Sequence, residues 1–559
     1  MRIYSSGTID VPYDVNLTEL LHTTGRPLPE SHLIAADNLT NRSISLGELR
    51  DRAGRLARGL HDNLVPEDQA RWAIILPNSV DFLELFHAIL WTGGIVAPIN
   101  WALKDTEIGH GLAVSRPTYI VAYGAILDTV NRAIRIAERA LEDAGTPWAT
   151  RPIVLTAVTP RPGLMHLDRD FLAPVGHRLP IPHHKDTSSR VATIHLSSGT
   201  TGKPKGVELT HRNYVANVLQ LFKHDPEQFH SGVRTVAITP WAHIGMTTMP
   251  LFNAPYMGLF HHAMPQYDFD KFAAIVDSCK ATTFQGPPSI VLQLARADIY
   301  DRYDFSHAET MTVGGANFKP DVLEPLLKKA PWKLVQVYGM TEAAGYVAFQ
   351  KLKEEVPEGV VGYLLPGIEA CLKKPGTDED VPEGGAGELW LRGPNITRGY
   401  LFNSDATRSA FPAPGWYNTG DVCKIDTLGR ISIVGRTKEL IKYKGFQVSP
   451  AELETYINSH PAVSEGGVAA TWDESQLTEL PTAWVVLTDE AARTPVTAKA
   501  ALKDIHASID SQVSGYKKLR GGVWQIAALP KNPTGKILRK QMEQMRDGPC
   551  SLDKPISKL

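Results

Sequence analysis

Cysteine is scarce in this 559-residue chain: Cys279, Cys371, Cys423 and Cys550 stand more than fifty residues apart and form no CxxC pair. That spacing argues against a disulfide framework or a thiolate zinc site, and for a reducing compartment. Long apolar runs are missing too. None approaches the ~18 residues that cross a bilayer, so no transmembrane segment is expected. The opening MRIYSSGTIDVPYD has no apolar signal core, so secretion is not indicated. No charge of one sign dominates: 58 Lys and Arg against 60 Asp and Glu leave a net −2. A nucleic-acid partner, which would call for a basic footprint, is therefore not expected. No short period repeats, which excludes a solenoid.

What is present is enough for real cores, with 43% apolar residues, and the length predicts more than one domain. Short β-branched runs alternate with helical patterns from about residue 70. RWAIILP (71–77) reads as a buried strand and DFLELFHAIL (81–90) as a helix. Strands follow at 118–123, 152–158, 191–196, 235–239, 281–285, 310–313 and 333–338, with a helix at 126–141. This alternation predicts α/β layers with largely parallel sheets. Near residue 385 the character changes to antiparallel strands, GELWLRG (387–393) and a hairpin over 422–435 turning at Leu428-Gly429. Beyond Arg436 a compact unit of helices and strands ends near 545. The expected organisation is a large domain over 1–435, a small one over 436–545, and a tail over 546–559.

The most informative segment is LSSGTTGKPKGVELTH, residues 196–211. A strand runs into a loop carrying Ser197, Ser198, Gly199, Thr200, Thr201, Gly202, Lys203 and Lys205, and a helix begins near His211. Glycines admit an anion close to the backbone while hydroxyls, amides and lysines donate to it, so the loop reads as a polyphosphate cradle. It is not a Walker A loop: Gly199 and Gly202 are too close, and Pro204 follows Lys203 where Ser or Thr belongs. In YGMTE, Tyr338 ends a strand where an aromatic face could stack on a base, followed by Gly339 and Met340. Thr341 and Glu342 are oxygen ligands suited to Mg²⁺. Upstream, Gly314, Gly315 and Ala316 leave room for a flat ring. Asp421, after Gly420, suits two ribose hydroxyls. Lys536, in NPTGKILRK, suits a phosphate oxygen and an attacking carboxylate together.

Taken in order, LSSGTTGKPKGVELTH, YGMTEAAG, GELWLRG, WYNTGD, GRTKELIKYKGFQVSPAELE and PKNPTGKILRK resemble the motifs of the adenylate-forming superfamily, in its acyl-CoA-synthetase and 4-coumarate–CoA-ligase-like branch. The resemblance implies the family's fold: a large N-terminal domain of layered α/β subdomains plus a β-barrel-like subdomain, with a small mobile α+β C-terminal domain. It also implies ATP, Mg²⁺ and coenzyme A as cofactors. Arg436 becomes a second ribose or phosphate contact, Lys536 the cation at the transition state, and Lys438 the hinge. The segment with Lys442, Lys444 and Gly445 would replace Lys536 when the small domain rotates and opens the thiol path. His243, in PWAHIGMTT, resembles the residue that shields the carboxylate site. Relatives usually carry Asp before the arginine that here follows Gly435, and often an aromatic residue where this chain has Ala242.

The segments at 243–251, 284–290, 313–317 and 345–347 contain Met, Val, Pro, Ile and Gly and no acidic residue. An apolar pocket suits a fatty or aryl-alkanoic acid better than an amino acid, whose ammonium would want a carboxylate. No carrier domain follows residue 545, so a peptide-synthetase module is not expected. The expected activity is acyl-CoA ligation through an acyl-adenylate. The rivals are a ligase that loads a separate carrier protein, a luciferase-like oxygenase, and a non-catalytic acyl or nucleotide sensor. His183-His184 and His261-His262 lack zinc spacing and read as structural. The last residues, Ser557-Lys558-Leu559, form a peroxisomal address of the SKL type after a polar, proline-broken stretch, which predicts a peroxisomal import receptor as partner.

Overall fold

The computed structural model describes residues 2–552 except 24–25, 149–150, 198–203, 287–289, 291–292, 295–297, 315–327, 330–331, 358, 437–438, 444–445, 474–475, 477, 514, 532–534 and 536. Two large sheets build the N-terminal domain. The first has seven strands among the described residues, in the order Gly399–Tyr400, Lys205–Thr210, Val191–Ser197, Ile95–Pro98, Arg71–Ile75, Tyr119–Tyr123 and Ile153–Ala157. From Val191–Ser197 to Ile153–Ala157 its strands run parallel. The helix between the first two parallel strands, Val80–Trp91, is buried at every position, as its nearly unbroken apolar sequence requires. Leu127–Asp143 is amphipathic instead, burying Val130, Ala133, Ile134, Ala137 and Leu141 at helical spacing.

The second sheet has fourteen strands among the described residues. One half is mainly parallel, through Leu33–Asp37, Phe260–Ala263, Arg234–Ala237, Thr283–Gly286, Thr310–Gly314 and Lys333–Met340. The other half is antiparallel and holds the strands expected as a barrel-like subdomain, including Gly387–Arg392, Tyr417–Ile425 and Arg430–Arg436. The two halves are continuous, joined where Lys333–Met340 pairs antiparallel with Gly345–Phe349. The YGMTE motif sits on that junction.

The smaller C-terminal domain has its own core beneath the strands Val463–Asp473, Thr478–Leu487 and Val523–Gln525, packed by the helices Pro450–Asn458 and Pro495–Gln512. Its helix Pro450–Asn458 contacts the end of Arg430–Arg436. The N-cap Ser449 hydroxyl donates to the Val434 carbonyl at 2.6 Å. A Cβ at Gly435 would stand 3.0 Å from that hydroxyl oxygen, so the glycine makes room for this link. Within the stretch 546–559, residues up to 552 pair back onto the small domain. Gln525 and Ser551 exchange backbone bonds with Pro549 and Val523, and Cys550 packs beside Trp524, because the edge strand offers unpaired backbone groups. Ser557, Lys558 and Leu559 lie outside the described residues. All four cysteines are free and buried. Among the described residues no helix is long and apolar enough to cross a membrane.

Candidate active site

The strands Val191–Ser197 and Lys205–Thr210 form an antiparallel pair with Ser197 opposite Lys205, which sets the two ends of the Ser/Thr/Gly/Lys segment side by side. Ser198, Gly199, Thr200, Thr201, Gly202 and Lys203 themselves lie outside the described residues. The second strand leads directly into the helix His211–His224, whose start is a capping box: Asn213 N–H donates to the Thr210 hydroxyl and Thr210 N–H to the Asn213 side chain.

YGMTE reaches this hairpin from the other sheet. Lys333–Met340 shifts register between Tyr338 and Gly339, and a Cβ at Gly339 would lie 1.9 Å from the Gly345 carbonyl oxygen, so only glycine permits the close turn. Thr341–Ala343 then forms a single 3₁₀ turn. Glu342 is half-buried there. The Tyr400 hydroxyl donates to its Oε1 at 3.1 Å, and Thr397 N–H donates to its carbonyl at 2.7 Å. Burial raises the Glu342 pKa, opposed by the hydroxyls of Tyr400 and Ser197 and by the charge of Arg436. Among the described residues no ammonium or guanidinium lies within ion-pair distance of this carboxylate. A half-buried carboxylate with no paired cation among the described residues fits a hard divalent ion. No described cluster of three or more His, Cys, Asp or Glu could cage a metal, so phosphate oxygens and water would have to complete its shell.

Asp421 is buried on Tyr417–Ile425, directly opposite Arg436. The Arg436 Nε donates to its Oδ1 at 2.8 Å and the Tyr338 hydroxyl to its Oδ2 at 2.6 Å. Tyr338 is only 7% exposed, so little of its ring face is open, and its polar end holds Asp421 in place. Two carboxylate oxygens offer about four acceptor positions, so two remain for further donors.

His243 lies on the turn after Arg234–Ala237. Asn78 clamps that turn: its Oδ1 accepts from Trp241 N–H at 2.7 Å and its Nδ2 donates to the Thr239 carbonyl at 3.0 Å. Solvent reaches His243, yet surrounding protein lowers its pKa, which suits a neutral imidazole. Next to it the Tyr346 hydroxyl donates to the Gly245 carbonyl at 3.0 Å and accepts from Gln285 Nε2 at 3.1 Å. Two of the segments expected to line an apolar, acid-free pocket thus meet through a tyrosine–glutamine pair. Both residues stood in the quoted segments, but sequence could not show that they meet.

Lys442 lies on a two-stranded hairpin of the small domain with an exposed side chain, its N–H donating to Glu479 Oε2 at 2.7 Å. Gly315, Ala316, Lys438, Lys444, Gly445 and Lys536 lie outside the described residues. The arrangement also enlists residues that the motifs did not suggest. Asn217 Nδ2 donates to the Tyr346 carbonyl at 2.8 Å, Asn395 Nδ2 to the Ala343 carbonyl at 3.0 Å, and the Thr248 hydroxyl to the Ala344 carbonyl at 2.8 Å. Asn213 Nδ2 donates to the Pro394 and Ile396 carbonyls. Asn213 and Asn217 are four apart on one helix, a polar stripe legible in sequence as a face but not as a cage.

The family model described as AMP-binding enzyme matches residues 26–401, and the one described as AMP-binding enzyme C-terminal domain matches residues 452–536. A 4-coumarate–CoA ligase from Humulus lupulus is 32% identical over 508 residues, covering 90% of this chain and 88% of that protein. The 4-coumarate–CoA ligase 1 of Petroselinum crispum is 32% identical, with 84% and 83% covered. Among solved structures, ATP-bound MatB from Rhodopseudomonas palustris superposes with a TM-score of 0.80 at 25% identity, covering 96% of this chain and all of that one. The anthranilate CoA ligase AuaEII with anthranoyl-AMP gives a TM-score of 0.81 at 20% identity, covering 96% and 98%, and shares the fold. Both halves of the match fall in chain order on the two domains just described, and this chain belongs to the adenylate-forming AMP-binding enzymes, among their 4-coumarate–CoA-ligase-like acid–thiol ligases.

Proposed function

We propose that the protein activates a fatty or aryl-alkanoic acid with ATP and Mg²⁺ and passes the acyl group to coenzyme A. The acid's carboxylate attacks the α-phosphate of ATP, giving acyl-adenylate and pyrophosphate. The CoA thiol then attacks the acyl carbonyl, giving thioester and AMP. The observation that carries this reading is the convergence of Glu342 from a 3₁₀ turn with Asp421 and Arg436 from two paired strands, beside the paired ends Ser197 and Lys205.

In this reading Lys203, Lys205 and the loop hydroxyls hold phosphates, and Asp421 and Arg436 hold the ribose. Thr341 and Glu342 hold Mg²⁺, which when bound supplies positive charge at crowded phosphate oxygens. Neutral His243 covers the acid's carboxylate without adding a competing cation. Lys536 neutralises charge as acid and phosphate meet, a placement whose loss typically costs ~2.7–4 kcal/mol. The small domain, turning at Lys438, exchanges Lys536 for the Lys442–Gly445 segment between the two steps. A panel of aryl and fatty acids assayed for pyrophosphate release, then for thioester with CoA, tests the reading. Acid-dependent pyrophosphate release followed by thioester is expected, and a chain that releases pyrophosphate with no acid refutes it.

The tripeptide Ser557-Lys558-Leu559 supports a peroxisomal destination and an import receptor as partner. A fluorescent fusion should mark peroxisomes with the intact terminus and not after removal of these three residues.

A further inference from the structure

Tyr400 belongs to no phosphate, metal or ribose contact assigned above, yet it touches two of them. It stands on the two-residue strand Gly399–Tyr400, paired with Glu208 and Val207 at the edge of the seven-stranded sheet. Its backbone N–H is fixed by the Thr407 hydroxyl at 3.0 Å. Its ring lies beneath the Lys205 ammonium, whose nitrogen is 5.0 Å from the ring centroid. Its hydroxyl donates to Glu342 Oε1 at 3.1 Å. The Tyr417 hydroxyl, from WYNTGD, lies 3.4 Å from the Tyr400 hydroxyl.

The direction of these bonds is fixed by chemistry. A carboxylate only accepts, so the Tyr400 proton points at Glu342 and Tyr417 must donate to the Tyr400 oxygen. Tyr400 is 9% exposed, so water does not replace it easily. With Tyr400 donating to one oxygen, Glu342 keeps acceptor positions for a metal, and its donor is carried on a rigid ring. The same ring gives the Lys205 ammonium a cation–π seat, worth roughly 0.5–2 kcal/mol depending on desolvation.

We propose that Tyr400 is a positioning residue that ties the metal-binding carboxylate Glu342 to the phosphate-binding Lys205, with Tyr417 as the donor behind it. The proposal rests on the roles given above to Glu342 and Lys205. It separates into a hydroxyl part, which orients Glu342, and a ring part, which seats Lys205.

The test uses the full-length protein, a non-hydrolysable ATP analogue and Mn²⁺ as an oxygen-seeking stand-in for Mg²⁺, with bound Mn²⁺ read by electron paramagnetic resonance. Tyr400→Phe keeps the ring and loses the hydroxyl. It should weaken Mn²⁺ binding roughly ten- to a hundred-fold while leaving metal-free binding of the analogue within about twofold. Tyr400→Leu removes both parts and should weaken metal-free analogue binding as well. Tyr417→Phe, which leaves the Glu342 bond intact, should weaken Mn²⁺ binding less than Tyr400→Phe. Wild-type Mn²⁺ affinity in Tyr400→Phe would overturn the proposal. So would an equal loss of metal, nucleotide and acid binding accompanied by a lower melting temperature in both Tyr400 variants. If the wild-type protein itself binds no Mn²⁺–analogue complex, the metal reading fails first and the proposal with it.

Discussion

Asp421 has two donors on its two oxygens and no need of a donor of its own, which makes Asp421→Asn an informative change. An amide offers one acceptor oxygen for the Arg436 guanidinium and turns its NH₂ toward Tyr338, whose hydroxyl must give up its donation to a charged oxygen and accept instead. Losing one bond of this charged kind costs about 1.5–3 kcal/mol, or about ten- to a hundredfold in affinity. Titration calorimetry with AMP should show that loss, with the acid's half-saturation little changed. At this scale the sequence was legible where a side chain sits in a signature: Asp421, Glu342 and Arg436 could be named from their motifs. It was opaque for Tyr400 and for the hydroxyl of Tyr338. A tyrosine in a strand reads the same whether its hydroxyl ends at solvent, at a carbonyl or at a carboxylate.

Among elements, the segment from Thr341 to Tyr346 runs from one 3₁₀ turn, through Ala344 in left-handed conformation at φ +55°, into the start of the strand Gly345–Phe349. It is held from outside. Asn217, Asn395 and Thr248 donate to its carbonyls, and all three are fully buried. Asn217→Ala removes a donor to the Tyr346 carbonyl and leaves that backbone group without its shortest bond. A cost of about 1–3 kcal/mol is expected. It should appear as a lower denaturant midpoint at unchanged slope, together with a raised metal requirement for turnover, since Glu342 rides on this turn. The elements themselves were largely readable: a helix expected at 126–141 spans Leu127–Asp143, and the strand expected at 191–196 is Val191–Ser197. The strand Lys205–Thr210 was missed because glycine and proline before it read as loop, and its partner across the hairpin supplies its hydrogen bonds.

Across the whole molecule, buried histidines set the response to pH. His87, His195, His211 and His261 are at most 3% exposed, and burial pushes their pKa values down to about 4, 3, 3 and 3. Unfolded histidine titrates near 6.5, so below that pH the unfolded chain binds more protons and stability is lost as pH falls toward those lower values. Each group contributes about 1.4 kcal/mol per pH unit inside that window. Asp81 opposes them: burial raises its pKa to about 6, so its folded form holds the proton longer and it loses stability as pH rises from about 4 to 6. Four groups outweigh one. Melting temperature measured by calorimetry should therefore fall steadily from pH 6.5 to 5, and a flat profile would mean that these imidazoles are protonated in the folded state.

The sequence by itself determined the chemistry and the layering. Motif composition names groups able to hold phosphate, metal and ribose, and hydrophobic periodicity says which face of each helix or strand turns inward, because both depend only on near neighbours. Tertiary structure decided the partnerships. Tyr338 meets Asp421 across 83 positions, Tyr400 meets Glu342 across 58, and Asn213 reaches Pro394 across 181. Such bonds depend on the pairing of distant strands and on how a whole sheet brings its ends together, which no local pattern encodes.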